Sequence, residues 1–230
     1  MKKVLVMVIG LALMAAPAFA TVVNSKHDLS SVNGSGQATA SSNTNEVCVF
    51  CHTPHGGTTA ILAPLWNRST PGTPFAAGDM YNSATLDQTN SNPTTVFARV
   101  NNSDAPLCMS CHDGGSMAGG LLNPPASNGN QQPAFAGGAG FLDHVTGNAD
   151  LGTDLTNDHP IGMDYAAVQG ADTAGFKVIG NVTLPFYSYA ATSNVMWCST
   201  CHDVHGEGGG DPFLNMSNSG SALCVECHNK

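Results

Sequence analysis

Apolar residues are concentrated at the start of this chain and thinly scattered afterwards. Residues 4–16 form an apolar run behind two lysines, and residues 18–20, Ala-Phe-Ala, have the small-residue pattern of a cleavage site. The run is too short to cross a bilayer, so residues 1–20 are predicted to be a secretory signal peptide rather than an anchor helix. The mature chain, residues 21–230, is predicted to be exported as one domain without a membrane span.

Beyond residue 20 the hydrophobic pattern is weak and predicts few regular elements. Residues 94–100, TTVFARV, predict one short helix. Residues 176–190, FKVIGNVTLPFYSYA, are rich in β-branched and aromatic side chains and predict two short strands joined through Gly180 and Asn181. Residues 21–46 are polar and are predicted to be extended, while the Gly-, Pro- and Asn-rich residues 116–140 predict a loop.

Composition and charge narrow the choice of partners. Aromatic residues make up 7% of the chain, which leaves little material for a large hydrophobic core. Chains with a poor core commonly rely on covalent staples or metal sites. The formal charge is −9, and loss of the two signal-peptide lysines would leave five basic residues against sixteen acidic ones. Such an acidic surface argues against nucleic acid and anionic membranes as partners.

The eight cysteines form four C-x-x-C-H motifs, and none is left over. They are motif one (residues 48–52), motif two (108–112), motif three (198–202) and motif four (224–228). In an exported chain, eight cysteines could instead form disulfides, and paired C-x-x-C sequences could hold two zinc ions. Neither alternative requires a histidine directly after the second cysteine, yet one follows in every motif. The pattern is therefore that of covalent c-type haem attachment.

Each part of this motif has a role in holding a haem. The two thiols add to the vinyl groups of the ring, and the following histidine is the proximal iron ligand. Because four haems would supply most of the core, the predicted fold is mostly irregular, with short α-helices at the motifs and at most a few short strands around a stack of four haems. The predicted attachment residues are Cys48, Cys51, Cys108, Cys111, Cys198, Cys201, Cys224 and Cys227, and the predicted proximal ligands are His52, His112, His202 and His228.

Five histidines lie outside these positions, one more than four distal sites need: His27, His55, His144, His159 and His205. With histidines in surplus, bis-histidine ligation is favoured over methionine at all four irons, and six-coordinate iron suits electron transfer rather than substrate chemistry. His55 follows His52 by three residues, so the two side chains lie on one side of a helical turn. They cannot approach one iron from opposite faces, so His55, and by the same argument His205, is predicted to reach another haem.

Three further features have weaker interpretations. Trp66 is predicted to pack against a haem, and Arg68 to pair with a haem propionate or to remain solvated. Asp150, Asp154 and Asp158 are spaced by four residues and could offer oxygen ligands to calcium. Their spacing does not fit an EF-hand loop, so a solvated loop is the favoured interpretation.

A series of short segments carries a family resemblance: SKHDLS, CVFCHTPHG, PLWNR, LCMSCHDGG, NDHPIG, CSTCHDVHG and LCVECHNK, in that order. Together they resemble the exported multihaem cytochromes with C-x-x-C-H-x-x-H motifs, and more narrowly the filament-forming (OmcE-like) extracellular tetrahaem cytochromes. The resemblance implies four bis-histidine haem c groups in a continuous stack and an electron-transfer protein rather than an enzyme. It implies distal ligands at His27, His55, His159 and His205, and it leaves His144 as the spare histidine.

The resemblance also implies a second copy of the chain as partner. In filament-forming relatives a histidine of one subunit ligates a haem of the next, and the matching position is His55. Two residues follow His228, so a neighbour's His55 could cover the haem of motif four in a head-to-tail contact that does not close. The leading function is extracellular electron transfer to redox partner cytochromes, metal oxides or electrodes. The alternatives are a monomeric periplasmic electron shuttle and a multihaem reductase, which needs an open iron position.

Overall fold

A computed structural model describes residues 22–32, 43–58, 63–69, 75–83, 92–117, 120–135, 144–206 and 213–229. The predicted signal peptide lies outside these ranges. Among the helices of the described ranges, none has the length and apolar character needed to span a membrane.

Regular structure is sparse in the described part of the chain, as predicted. The elements are α1 (Pro93–Asn101), α2 (Ala105–His112), α3 (Tyr165–Ala171), β1 (Tyr187–Tyr189), β2 (Thr192–Val195), α4 (Cys198–Cys201) and α5 (Ala222–Cys227). Single 3-10 turns cover Cys48–Phe50, Ala77–Asp79, Ala126–Asn128, Gly147–Ala149, Ile179–Asn181 and Ser219–Ser221. Motifs two, three and four therefore lie in or at the end of short α-helices, and motif one begins with a 3-10 turn.

The predicted helix at residues 94–100 is confirmed as α1, and local chemistry explains its start. The side chain of Asn92 accepts a hydrogen bond from the backbone N–H of Thr94, and Pro93 occupies the first helical position. Val96 and Val100 on this helix are buried. Their spacing of four residues places both on the face that packs inward.

The predicted hairpin is displaced along the chain. Gly180 and Asn181 belong to a 3-10 turn, while the two antiparallel strands are β1 and β2, joined at residues 190 and 191. Two causes are local: Pro185 lacks the N–H that a strand needs, and Ala190 adopts a left-handed φ of 51° suited to a tight turn. Val195 in β2 is fully buried, so this strand holds the chain that enters motif three.

The segment before motif one is turned rather than extended where it is described. The buried carboxylate of Asp28 accepts hydrogen bonds from the backbone N–H of Asn24 and from the N–H and hydroxyl of Ser30. An aspartate that accepts from backbone groups two residues away favours a turn over an extended chain. The result is a compact loop that carries His27.

The hydrophobic interior consists of three small clusters within the described ranges. Cluster 1 is Val49, Phe50, Met117, Leu121 and Phe135, with Cys51 and Cys111 packed against it. Cluster 2 is Phe75, Met80, Val96, Val100, Ala105, Met109, Leu155 and Met163, with Cys198 packed against it. Cluster 3 is Tyr165, Leu184, Met196 and Cys227, with Met216 packed against it. Each cluster contacts motif cysteines, so the apolar packing follows the motifs through the molecule.

Candidate functional site

The eight motif cysteines all lie in the described ranges, and each is a free thiol. The disulfide alternative is therefore not what the fold adopts. Burial raises the pKa of the Cys51 thiol to about 12. A hydrogen bond with the Cys108 thiol, followed by burial, raises the pKa of Cys198 well above its ordinary value. Both thiols pack against the apolar side chains of clusters 1 and 2.

The motifs follow one another in space in chain order. Cys51 of motif one and Cys111 of motif two pack against the same cluster. The thiols of Cys108 in motif two and Cys198 in motif three share a hydrogen bond. Burial is the main cause of the raised pKa of Cys201 in motif three, and the neighbouring Cys224 thiol of motif four is the second cause. Motifs three and four therefore lie side by side.

Asp104 fixes the central contact between motifs two and three. It stands just before α2, yet its carboxylate accepts from the backbone N–H groups of Cys198 at 3.2 Å and Ser199 at 2.7 Å. Those are first-turn donors of α4, which lack partners within their own helix. The carboxylate that precedes α2 therefore caps the N-terminus of α4. Sequence reasoning missed this role because the two segments are 94 residues apart.

Three of the predicted proximal histidines lie opposite histidines from distant parts of the chain. The ring centroids are 6.2 Å apart for His27 and His112, 6.1 Å for His52 and His205, and 6.4 Å for His159 and His228. The three pairs do not include His202, His55 and His144.

The spacing within these pairs suits a metal ion between the two rings. With metal–nitrogen bonds of about 2 Å on each side, two imidazoles hold their ring centres about 6 Å apart. The His27 pair and the His159 pair have the same interplanar angle of 82°, whereas the His52 pair is nearly parallel at 16°. The pKa of His27 is lowered, chiefly by burial, which favours the neutral imidazole that a metal requires.

Backbone carbonyls fix the tautomer of several of these rings. The Nδ1–H of His52 donates to the carbonyl of Pro64 at 3.0 Å, and that of His112 donates to Ala149 at 2.6 Å. His159 makes the same contact with Pro160 at 3.2 Å. A ring whose Nδ1 is used in this way presents the lone pair of Nε2, the arrangement typical of metal-bound histidine. The site residues therefore fit a haem iron held between paired imidazoles.

Motifs one and three are each held by an asparagine that donates hydrogen bonds to the backbone of the motif, an arrangement that we call the asparagine clamp. Asn67 donates its backbone N–H to Cys51 and its side-chain Nδ2 to Val49 at 2.7 Å. Asn215 donates its backbone N–H to Cys201 and its Nδ2 to Ser199 at 2.8 Å. Val49 and Ser199 are the second residues of their motifs. The residues two positions before the asparagines, Leu65 and Phe213, share a left-handed backbone with φ of 56° and 54°.

The asparagine clamp reveals an internal repeat that sequence reasoning missed. The first unit consists of His27, motif one with His55, and motif two; the second consists of His159, motif three with His205, and motif four. In each unit the leading histidine faces the proximal histidine of the second motif, at 6.2 Å and 6.4 Å. The sequence signal was the pair of C-x-x-C-H-x-x-H motifs, each followed by a C-x-x-C-H motif.

Residues 191–230 match the family described as Doubled CXXCH motif. The matched segment contains motifs three and four. A search of curated proteins finds no match. Doubled motifs of this kind indicate covalently bound haem c, so the chain carries the signature of a multihaem c-type cytochrome, a class that typically transfers electrons.

The remaining sequence-based candidates have the following surroundings. His55 is exposed, and within the described ranges its imidazole makes no hydrogen bond or ring contact. Trp66 is buried edge-on to His52 at 6.3 Å, and its indole N–H has no partner in the described ranges. Arg68 is buried rather than solvated.

The six methionines beyond the signal peptide take part in apolar packing. Five of them are buried in the clusters, namely Met80, Met109, Met117, Met163 and Met196, and Met216 packs against cluster 3. In the described ranges no group of three acidic, histidine or cysteine side chains is placed to hold a metal ion, Asp150, Asp154 and Asp158 included.

The asparagine clamp at motif one gives a first prediction. Asn67 is fully buried and also exchanges two hydrogen bonds with the backbone of Asn123. Asn67→Asp would turn a carboxylate oxygen towards the carbonyls of Val49 and Asn123, so we expect the free energy of unfolding to fall by about 3 kcal/mol. Chemical denaturation followed by circular dichroism measures it. The control is Asn102→Asp, whose exposed amide donates to one carbonyl, and it should cost less than about 1 kcal/mol. Equal losses in both variants would contradict a clamping role for Asn67.

Proposed function

We propose that this protein transfers electrons outside the cell through four covalent haem c groups, as the subunit of a polymeric cytochrome filament. The chemistry that haem supplies when bound is one-electron exchange at its iron. The chain's part is to attach each haem by two thiols, hold its iron between two imidazoles and bring neighbouring haems together. The ordered contacts between consecutive motifs support a continuous row of four haems.

The observation that carries the proposal is the repeat-related set of histidine pairs. His27 and His159 each face the second motif of their own unit. His205 of the second unit faces His52, the first motif of the preceding unit. All three pairs support bis-histidine ligation, in which iron has no open position for a substrate. This weighs against the reductase alternative.

The same repeat supports assembly into a filament. His55 is the repeat partner of His205, and His205 reaches back to the unit before its own. If His55 reaches back by one unit in the same way, its target lies in a second copy of the chain. The unit that would precede it there is the second unit of that copy, whose first motif is motif three. Because His159 faces His228, we now favour motif three over motif four as the target. A contact of this kind is heterologous and need not close, so it propagates as a filament.

Location and partners belong to the same proposal. The predicted signal peptide directs the chain out of the cytoplasm, and an extracellular filament would receive electrons from other cytochromes and pass them to metal oxides or electrodes. The acidic surface suits neither nucleic acid nor an anionic membrane as partner.

The test is to express the full chain, with its signal peptide, in a host that matures c-type cytochromes. The secreted product is weighed, titrated by optical spectroscopy with carbon monoxide, and viewed by electron microscopy. A mass increase of four haems, low-spin spectra and filaments are expected. Fewer than four haems would refute the haem count, haem protein without filaments would favour the monomeric shuttle, and a high-spin haem that takes up carbon monoxide in assembled material would revive the reductase.

A further inference from the structure

Arg68 is a buried cation with an incomplete set of hydrogen bonds. Its side chain is 3% exposed. Nη2 donates to the carbonyls of Ser110 at 3.1 Å and Met117 at 3.4 Å, whereas Nε and Nη1 are buried and have no partner among the residues that the structure describes. A guanidinium has five N–H donors, so three of them point into the interior without an acceptor.

Such a group is unfavourable unless an anion accompanies it. Two neutral carbonyls do not compensate a buried positive charge, and within the described ranges no carboxylate is paired with Arg68. The other buried arginine, Arg99, differs in its hydrogen bonds. Its guanidinium donates to the carbonyl of Gly162 at 3.3 Å and the hydroxyl of Thr192 at 3.5 Å, and among the described residues it has no buried donor without a partner.

The guanidinium lies where motifs one and two meet. Its Nη2 reaches the carbonyl of Ser110 inside motif two, and the neighbouring Asn67 donates its backbone N–H to the carbonyl of Cys51 in motif one. The backbone of Arg68 pairs with Leu121 of cluster 1. At Gly120 a Cβ would come within 2.6 Å of Nη2, so the chain leaves out a side chain to make room for the guanidinium.

We propose that Arg68 binds a propionate of a haem attached by motif one or motif two, and that it thereby sets the potentials of this haem pair. The inference rests on the proposed function, because the haem must be present. Propionate is the anionic group that a haem brings with it, and guanidinium–carboxylate bonds are charge-assisted and strong in a buried setting. A fixed cation favours the reduced, more negative state of a nearby iron, so Arg68 should raise the potential.

The second unit of the repeat provides a natural comparison. The asparagine clamp aligns Asn67 with Asn215, which places Met216 at the position of Arg68. Met216 packs against cluster 3, so this unit fills the position with an apolar chain. Arg68→Met therefore replaces the cation with the residue that the same fold already accepts in the second unit.

The experiment compares Arg68→Met with wild type as full-length, secreted holoprotein. Mass spectrometry should still find four haems. In optical redox titration, part of the curve should shift to lower potential. The expected change is about tenfold in the one-electron equilibrium constant, which corresponds to 59 mV. Resonance Raman spectra should show a shifted propionate bending band. The control is Arg99→Met, which removes a buried arginine that has no unpartnered buried donor among the described residues, and it should leave the propionate band in place.

Two results would overturn the inference. Four haems with an unchanged titration and an unchanged propionate band in Arg68→Met would show that the guanidinium holds water or a free ion instead. If Arg68→Met does not accumulate as holoprotein, Arg68→Lys decides, because it keeps the charge while losing the planar fork. A shifted band supports propionate binding, and an unchanged band refutes it. Wild-type protein without covalent haem would instead refute the proposed function itself.

Discussion

Replacing His27 with alanine is expected to convert one low-spin haem of the assembled protein into a high-spin haem that binds carbon monoxide. His27 faces His112 across a centroid distance of 6.2 Å, and burial lowers its pKa, so it presents a neutral imidazole. In the proposed bis-histidine site, loss of that ring would leave His112 as the sole protein ligand of the iron, and the open position would admit carbon monoxide. Close to one quarter of the haem should change if four haems are bound.

Magnetic circular dichroism and carbon monoxide titration measure this change directly. His144→Ala is the matched control, since His144 is the predicted spare histidine and lies outside the three ring pairs. It should remain fully low-spin. If His27→Ala stayed low-spin while His144→Ala became high-spin, the assignment of the spare and the ligand would have to be reversed.

Replacing His55 with alanine is expected to abolish filaments while leaving all four haems attached. Attachment depends on the motif cysteines, which the substitution does not touch. The His55 imidazole is exposed and makes no hydrogen bond or ring contact in the described ranges, so the fold of the single chain should not depend on it. If His55 ligates an iron of the next copy, as proposed, its removal takes away that bond and the head-to-tail contact that depends on it.

Light scattering and electron microscopy of the secreted material distinguish the outcomes. His55→Ala should be a monomer with four haems by mass, and His144→Ala should form filaments like the wild type. Filaments of normal length in His55→Ala would show that copies associate through other surfaces, and the proposed role of His55 between copies would then fail.

Much of the local structure could be predicted because it depends on short-range chemistry. The helix at α1 follows from its apolar spacing and from the Asn92-Pro93 start. The placement of short helices at the motifs follows from the need to bring two thiols and a histidine to one ring. The hairpin was misplaced because β propensity in residues 176–190 does not show where the turn lies, whereas Pro185 and Ala190 decide it.

The long-range organisation could not be predicted from one sequence. Asn67 and Asn215 follow their motifs at different distances, and both lie in a P-x-x-N-x-S segment (residues 64–69 and 212–217). That short pattern marks the two asparagines as equivalent, but their bonds to the motif backbone are visible only in three dimensions. Asp104 resembles an ordinary helix cap until the fold brings α4 beside it. Counting histidines predicted that some would reach distant haems, but which ring faces which depends on how the units pack.

The difference between Arg68 and Met216 has a consequence for any row of these chains. One unit carries a fixed cation beside its motifs and the other an apolar side chain at the matching position. A row built from this molecule would not be a uniform conductor. Its energy profile would rise and fall with the period of one subunit, and the climb from the cationic sites to the neutral ones would limit the rate of charge hopping along it.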